Sequence, residues 1–161
     1  MTIALERPVG TTDPATLVDP EMLERLATRI TKAQPDTDLP TARRIVGQAA
    51  AFIAASAALP GAALSPSKAV DVGWHTWILH TVDYAAFCDR LAGRFIHHVP
   101  TPEGEGVEGG SAAARQRTLD AMAAAGFRID HDLWPDAAMM GECSQCHAGC
   151  TDSPNGGKKS A

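Results

Sequence analysis

Apolar side chains recur at steps of three and four along most of this chain, and prolines or glycines interrupt them at intervals. That pattern predicts helices separated by turns. The first helix opens at Asp19–Pro20, with Asp as N-cap and Pro in the first turn, and runs to about Ile30. Leu23, Leu26, Ala27 and Ile30 share its inner face, and Pro35 ends it because proline brings no amide proton to the ladder. A second helix opens at Pro40–Thr41 and closes before Pro60–Gly61. It carries Ile45, Val46, Ala49, Phe52 and Ile53 among alanines small enough to let neighbouring backbones approach closely. The third opens at Ser65–Pro66 and extends to Leu91 before Gly93. That is long for a globular helix, so a break near Gly73 or Thr81 is expected. Ser111 caps a fourth, closed by Gly126, after which Phe127 and Trp134 anchor a segment that folds back across the bundle.

These elements predict an all-α fold, a small bundle of about four helices around a long central helix, with a cysteine-containing C-terminal segment. Residues 19–150 read as one domain, residues 1–18 as a flexible arm, 99–110 as an acidic, glycine-rich loop, and 151–161 as a disordered tail. No internal repeat or strand hairpin stands out. The formal charge of −5 argues against a nucleic-acid or anionic-membrane partner. The N-terminus lacks a basic start followed by an apolar run, and the stretch from Val46 to Leu59 is too short to span a bilayer. A cytoplasmic protein is therefore expected. In that compartment clustered cysteines point to metal ligation or redox chemistry before structural disulfides.

The third helix holds the densest chemistry. On a wheel of about 100° per residue, Trp74, Ile78, Val82 and Ala85 share an apolar face, with Asp71 and His75 on or beside it. Asp71 and His75 are four apart, so their side chains meet on one helix surface. A carboxylate beside an imidazole fixes its tautomer and raises its basicity, which suits a general base or a metal ligand. The same pair could equally be a hydrogen-bonded core contact that pins helix packing. His80, Tyr84 and Cys88 form a second stripe with Trp77 alongside, and packing explains them without chemistry. His97 and His98 follow in an extended segment, where adjacent side chains face opposite ways. At most one of them points inward, and that one could complete a site with His75.

The strings Leu64-Ser-Pro-Ser67, Val70-Asp71-x-x-Trp74-His75-x-x-Ile78-Leu79-x-Thr81-x-x-Tyr84-x-x-Phe87-Cys88 and Gly93-Arg94-Phe95-Ile96-His97-His98-x-Pro100 carry a resemblance. Together they resemble the bacterial glycine-rich domain-containing protein-like family over roughly residues 40 to 100. The resemblance implies a small helical domain of undefined biochemistry. The family pattern has a second histidine two residues after the first, where this chain has Trp77, so a metal site from paired histidines at that spacing is not supported.

Near the C-terminus, Cys143-Ser-Gln-Cys146-His147-Ala-Gly-Cys150 sets three thiols and an imidazole within eight residues. Two cysteines separated by two residues can aim both sulfurs at one tetrahedral metal. Cys143, Cys146, Cys150 and His147 are the candidate ligands, with Cys88, His97 and His98 as possible further ones. Zinc is the expected ion, with free or oxidisable thiols, an iron–sulfur cluster and covalent haem as alternatives. The leading functional expectation is a small metal-binding protein of undefined activity. An enzyme using Asp71 and His75 as its acid/base or metal-supporting pair, or a non-catalytic interaction module, remain the other readings. No nucleophile elbow, phosphate loop or dinucleotide fingerprint supports a particular reaction class.

Overall fold

The computed structural model describes residues 11–100, 110–136 and 150–151. Within them the chain forms five α-helices: α1 (Pro20–Ala33), α2 (Leu39–Ala58), α3 (Lys68–Ile78), α4 (Thr81–Ala92) and α5 (Gly110–Ala124). The all-α expectation holds. Most of the expected ends are built as the residue types dictate. The Asp19 carboxylate accepts from the amides of Glu21 and Met22, and Asp38 accepts from Thr41. Each satisfies amides that a helix start leaves without intrahelical partners. Gly93 closes α4 in the left-handed region at φ 63°, where a side chain would be strained. The cap of α3 is Ser67 rather than Ser65: its hydroxyl accepts from the Val70 amide and donates to the Leu133 carbonyl. On α1, Met22 is buried and Leu23 only partly so.

The long central helix does not form. The 65–91 stretch is two helices, and the chain turns at Leu79–His80, where His80 takes φ −97° and ψ 65°. The break falls at the expected Thr81 position and not at Gly73. At the turn the His80 amide shifts to the Trp77 carbonyl and His80 Nδ1 meets the freed Thr76 carbonyl at 3.1 Å, while Thr76 Oγ1 donates back to the Val72 carbonyl at 2.7 Å within α3. Back-bonding of this kind offers the backbone an alternative to continuing the helix. The break also resets the helical phase, so Val82 is 82% exposed and Ala85 is at the surface, not on the face of Trp74. In return Tyr84, Phe87 and Cys88 turn inward.

The most enclosed helix is α2, which packs against α1, α3, α4 and α5. Every residue from Ile45 to Ser56 is buried. Its alanines permit the close approach, and Gly73 of α3 shows how close: a Cβ there would lie 3.0 Å from the Ala49 methyl and Ile45 Cγ2, and 3.1 Å from the Ile45 carbonyl oxygen. That explains why Gly73 sits inside a helix without breaking it. Residues 11–18, expected as part of a loose arm, instead make a 3-10 turn over Pro14–Leu17 that packs on α2, with Pro14 and Val18 buried. Thr12 pairs with the chain around Phe127. The segment after α5 folds back as its aromatics predict, with Trp134 fully buried. Gln48 of α2 fastens it: its amide donates to the Arg128 carbonyl and its oxygen accepts from Trp134 Nε1 and the Asp130 amide.

Candidate metal centre

The first turns of α3 begin the site. Asp71 lies in the turn after the Ser67 cap, on the side of α3 that faces into the fold, and is 3% exposed. One turn on, His75 Nδ1 stands 2.9 Å from Asp71 Oδ2 and 2.9 Å from the Asp71 carbonyl oxygen. The third member arrives from outside the helix. His98 Nε2 is 3.0 Å from Asp71 Oδ1, so one carboxylate spans two imidazoles. The two rings lie 4.2 Å apart between centroids, and the Trp74 ring closes the inner side at 4.4 Å from His98. Phe52 of α2 packs tilted against Trp74, with ring centroids 5.1 Å apart.

A carboxylate only accepts hydrogen bonds, so an ionised Asp71 draws a proton onto each nitrogen that faces it. The hydrogen bond that His75 donates to the Asp71 carboxylate raises the pKa of His75 above its ordinary value, with partial burial opposing it and the carboxylate's charge adding to it. One ligating atom from each of Asp71, His75 and His98 falls within 4.8 Å of the other two, the convergence a small cation requires. A tetrahedral zinc with bonds of about 2.0–2.1 Å holds its donors about 3.3 Å apart, close to the spacing already present between carboxylate and imidazoles. Asp71 and His98 are almost enclosed, whereas the His75 side chain is 30% exposed and reaches solvent.

His97 does not join this group. It is exposed, with its ring against Phe95 at 4.8 Å. Cys88 is buried on α4 and is likewise not one of the three converging residues. Trp77 is a core residue packed on Phe87 at 4.2 Å between ring centroids. Cys143, Cys146 and His147 lie outside the described residues. Cys150 belongs to a two-residue antiparallel pairing in which Val99 faces Thr151 and Pro100 faces Cys150. That pairing joins Cys150 to the strand that follows His98.

A family model described as UCP032817-like matches residues 15–115, a span that holds α1 to α4 and all three members of the triad. The chain belongs to the UCP032817-like family. This corrects the resemblance drawn from the motifs, since nothing in the match points to a glycine-rich domain-containing family. The shared strings are largely what helix packing requires: Trp74, Tyr84, Phe87 and Cys88 are all core residues here. Neither the curated proteins nor the solved structures contain a match. The UCP032817-like name carries no activity, so function has to be argued from the site. No helix among the described residues is long and apolar enough to cross a membrane.

Two features of the site were hidden in the sequence. Tyr84 reads there as a packing residue, yet its hydroxyl accepts from Trp74 Nε1 at 2.8 Å and donates to the Ile96 carbonyl at 2.7 Å. The available signal was generic: a buried phenol needs a hydrogen-bond partner. Trp74 was placed on the apolar face of the helix, but nothing in its spacing showed that its ring would also wall His98.

Proposed function

We propose that this chain is a zinc-binding protein whose centre is built on Asp71, His75 and His98. The convergence of their three ligating atoms within 4.8 Å carries the reading. Two imidazoles and a carboxylate suit zinc, and binding would replace the protons that now bridge them. The same donor set also accommodates ferrous iron, so the identity of the ion is part of the test.

Structural zinc sites take four protein ligands, and the triad supplies three. The run of Cys143, Cys146, His147 and Cys150 is the proposed source of the fourth. The pairing of Cys150 with Pro100, two residues beyond His98, supports this choice over a separate, self-contained cysteine site.

Metal analysis of the full chain, purified without chelators, tests the proposal. One zinc per chain is expected to survive purification of the wild type, and to be bound too weakly to do so in His98→Ala and in the variant with Cys143, Cys146 and Cys150 all changed to serine. Two zinc ions released independently by these substitutions would mean two separate centres. Iron in place of zinc would overturn the choice of ion. A protein that arrives without transition metal and takes up neither zinc nor ferrous iron in titration would overturn the metal centre itself.

A further inference from the structure

Of the three converging residues, Asp71 and His75 are set one turn apart on α3, so helix geometry alone fixes their relation. His98 has no such support. It comes from residues 95–98, which belong to no helix, and its reach to Asp71 depends on the path of the main chain before it. One buried side chain controls that path. Tyr84, fully buried on α4, donates from its hydroxyl to the Ile96 carbonyl at 2.7 Å, two residues before His98. Its ring and that of Phe95 pack nearly perpendicular with centroids 5.2 Å apart, so it contacts both the carbonyl and the preceding side chain. The hydroxyl is itself fixed from α3, because Trp74 Nε1 donates to it at 2.8 Å. Trp74 adjoins His75 in sequence, and its own ring lies against His98. The bonds therefore run from α3 through α4 to the segment bearing His98. They brace the non-helical ligand against the helix that holds the other two.

We propose that Tyr84 is a positioning residue of the metal centre, whose hydroxyl fixes the Ile96 carbonyl and through it the approach of His98 to Asp71 and His75. The inference rests on the reading of the triad as a metal centre. Groups that orient metal ligands without touching the ion commonly change affinity by about 10–100-fold when removed. Tyr84→Phe keeps the ring in the core and deletes only the hydroxyl.

Zinc titration against a competing chelator is the test, on the full chain, for wild type, Tyr84→Phe, His98→Ala and the double variant. Tyr84→Phe is expected to weaken zinc binding at least about tenfold. In the His98→Ala background the same change is expected to leave the residual affinity where it was, because the ligand being positioned is gone. Equal weakening in both backgrounds, or none in either, would show Tyr84 to be a packing residue and overturn the proposal. A wild type that binds no zinc would instead remove the metal reading on which the proposal stands. Tyr84 is the single tyrosine of the chain, so 3-fluorotyrosine labels it alone and gives a second measurement should Tyr84→Phe not fold. Its fluorine resonance is expected to shift on adding zinc to the labelled wild type and to stay put in labelled His98→Ala. A resonance indifferent to zinc in a protein that binds it would also count against the strut.

Discussion

His75 Nδ1 stands 2.9 Å from a side-chain oxygen of Asp71 and 2.9 Å from the Asp71 carbonyl oxygen. One turn of helix thus aims a single ring nitrogen at two oxygens of the same residue. The other carboxylate oxygen remains directed at His98. Asp71→Asn keeps the shape but turns one of the two acceptors into a donor, so one of the two imidazole contacts is lost or forced to change tautomer. The expected cost to the metal-free protein is about 1–3 kcal/mol, the range for an unmatched buried polar group. Zinc affinity should fall as well, because the anionic ligand is gone. Urea unfolding with and without zinc measures both. An unchanged unfolding midpoint together with unchanged zinc binding would remove Asp71 from the centre.

Gly73 separates a packing role from a breaking one. Alanine raises helix propensity over glycine by about 1 kcal/mol, which alone would make Gly73→Ala stabilising. The added methyl would, however, press on Ala49 and Ile45, including the Ile45 carbonyl oxygen at 3.1 Å, which cannot rotate away. Overpacking of this kind costs about 1–3 kcal/mol, and it should win. Thermal unfolding is the check, with a lowered midpoint expected. A raised midpoint would mean that α2 and α3 can separate without loss.

Acid should loosen the segment that follows α5. Arg44 reaches from α2 to Asp130 at 2.6 and 2.7 Å, and this hydrogen-bonded ion pair lowers the Asp130 pKa, with partial burial opposing it. A carboxylate with a depressed folded-state pKa contributes stability above its unfolded value, near 3.8. That contribution is lost as pH falls through the folded value. Asp130→Asn should therefore be less stable than wild type at neutral pH, and the gap should close below about pH 4. Denaturant midpoints from pH 7 down to pH 3 would show it. A gap that stays constant across that range would mean that the pair contributes nothing through its charge.

How much of this was legible in sequence follows from which interactions are local. The Asp19 cap, and the meeting of Asp71 with His75, depend on positions a few residues apart, and helix geometry decides them. Alternation in an extended segment also limited His97 and His98 to one inward member. Which one it is depends on a main-chain path set by Tyr84, ten residues beyond Trp74 and twelve before Ile96, and no periodicity encodes that. The wheel drawn through His80 misplaced Val82 and Ala85 because it carried one helical phase across a break. The aromatic and thiol spacings of α3 and α4 point to the wrong family because they answer to helix packing, with Trp74, Tyr84, Phe87 and Cys88 all buried.

Gln48 is the polar exception in the most enclosed helix, and its three contacts account for it. It is 3% exposed, and its amide joins the Arg128 carbonyl, the Asp130 amide and the indole of Trp134 to α2. Gln48→Leu fills nearly the same volume, so cavity formation contributes little. What remains is a buried indole N–H, a carbonyl and an amide deprived of partners, together expected to cost at least about 2 kcal/mol. Gln48→Glu separates the contacts, because a carboxylate can still accept from Trp134 and Asp130 but cannot donate to Arg128. It also buries a carboxylate against the Arg128 carbonyl, so it should be less stable than wild type near neutral pH. Gln48 is not among the converging ligands, so zinc affinity in the folded variants should stay close to that of wild type. Unfolding midpoints read beside zinc titrations decide the matter. A Gln48→Leu protein as stable as wild type would show that α2 holds the returning segment by apolar packing and the Arg44 ion pair alone.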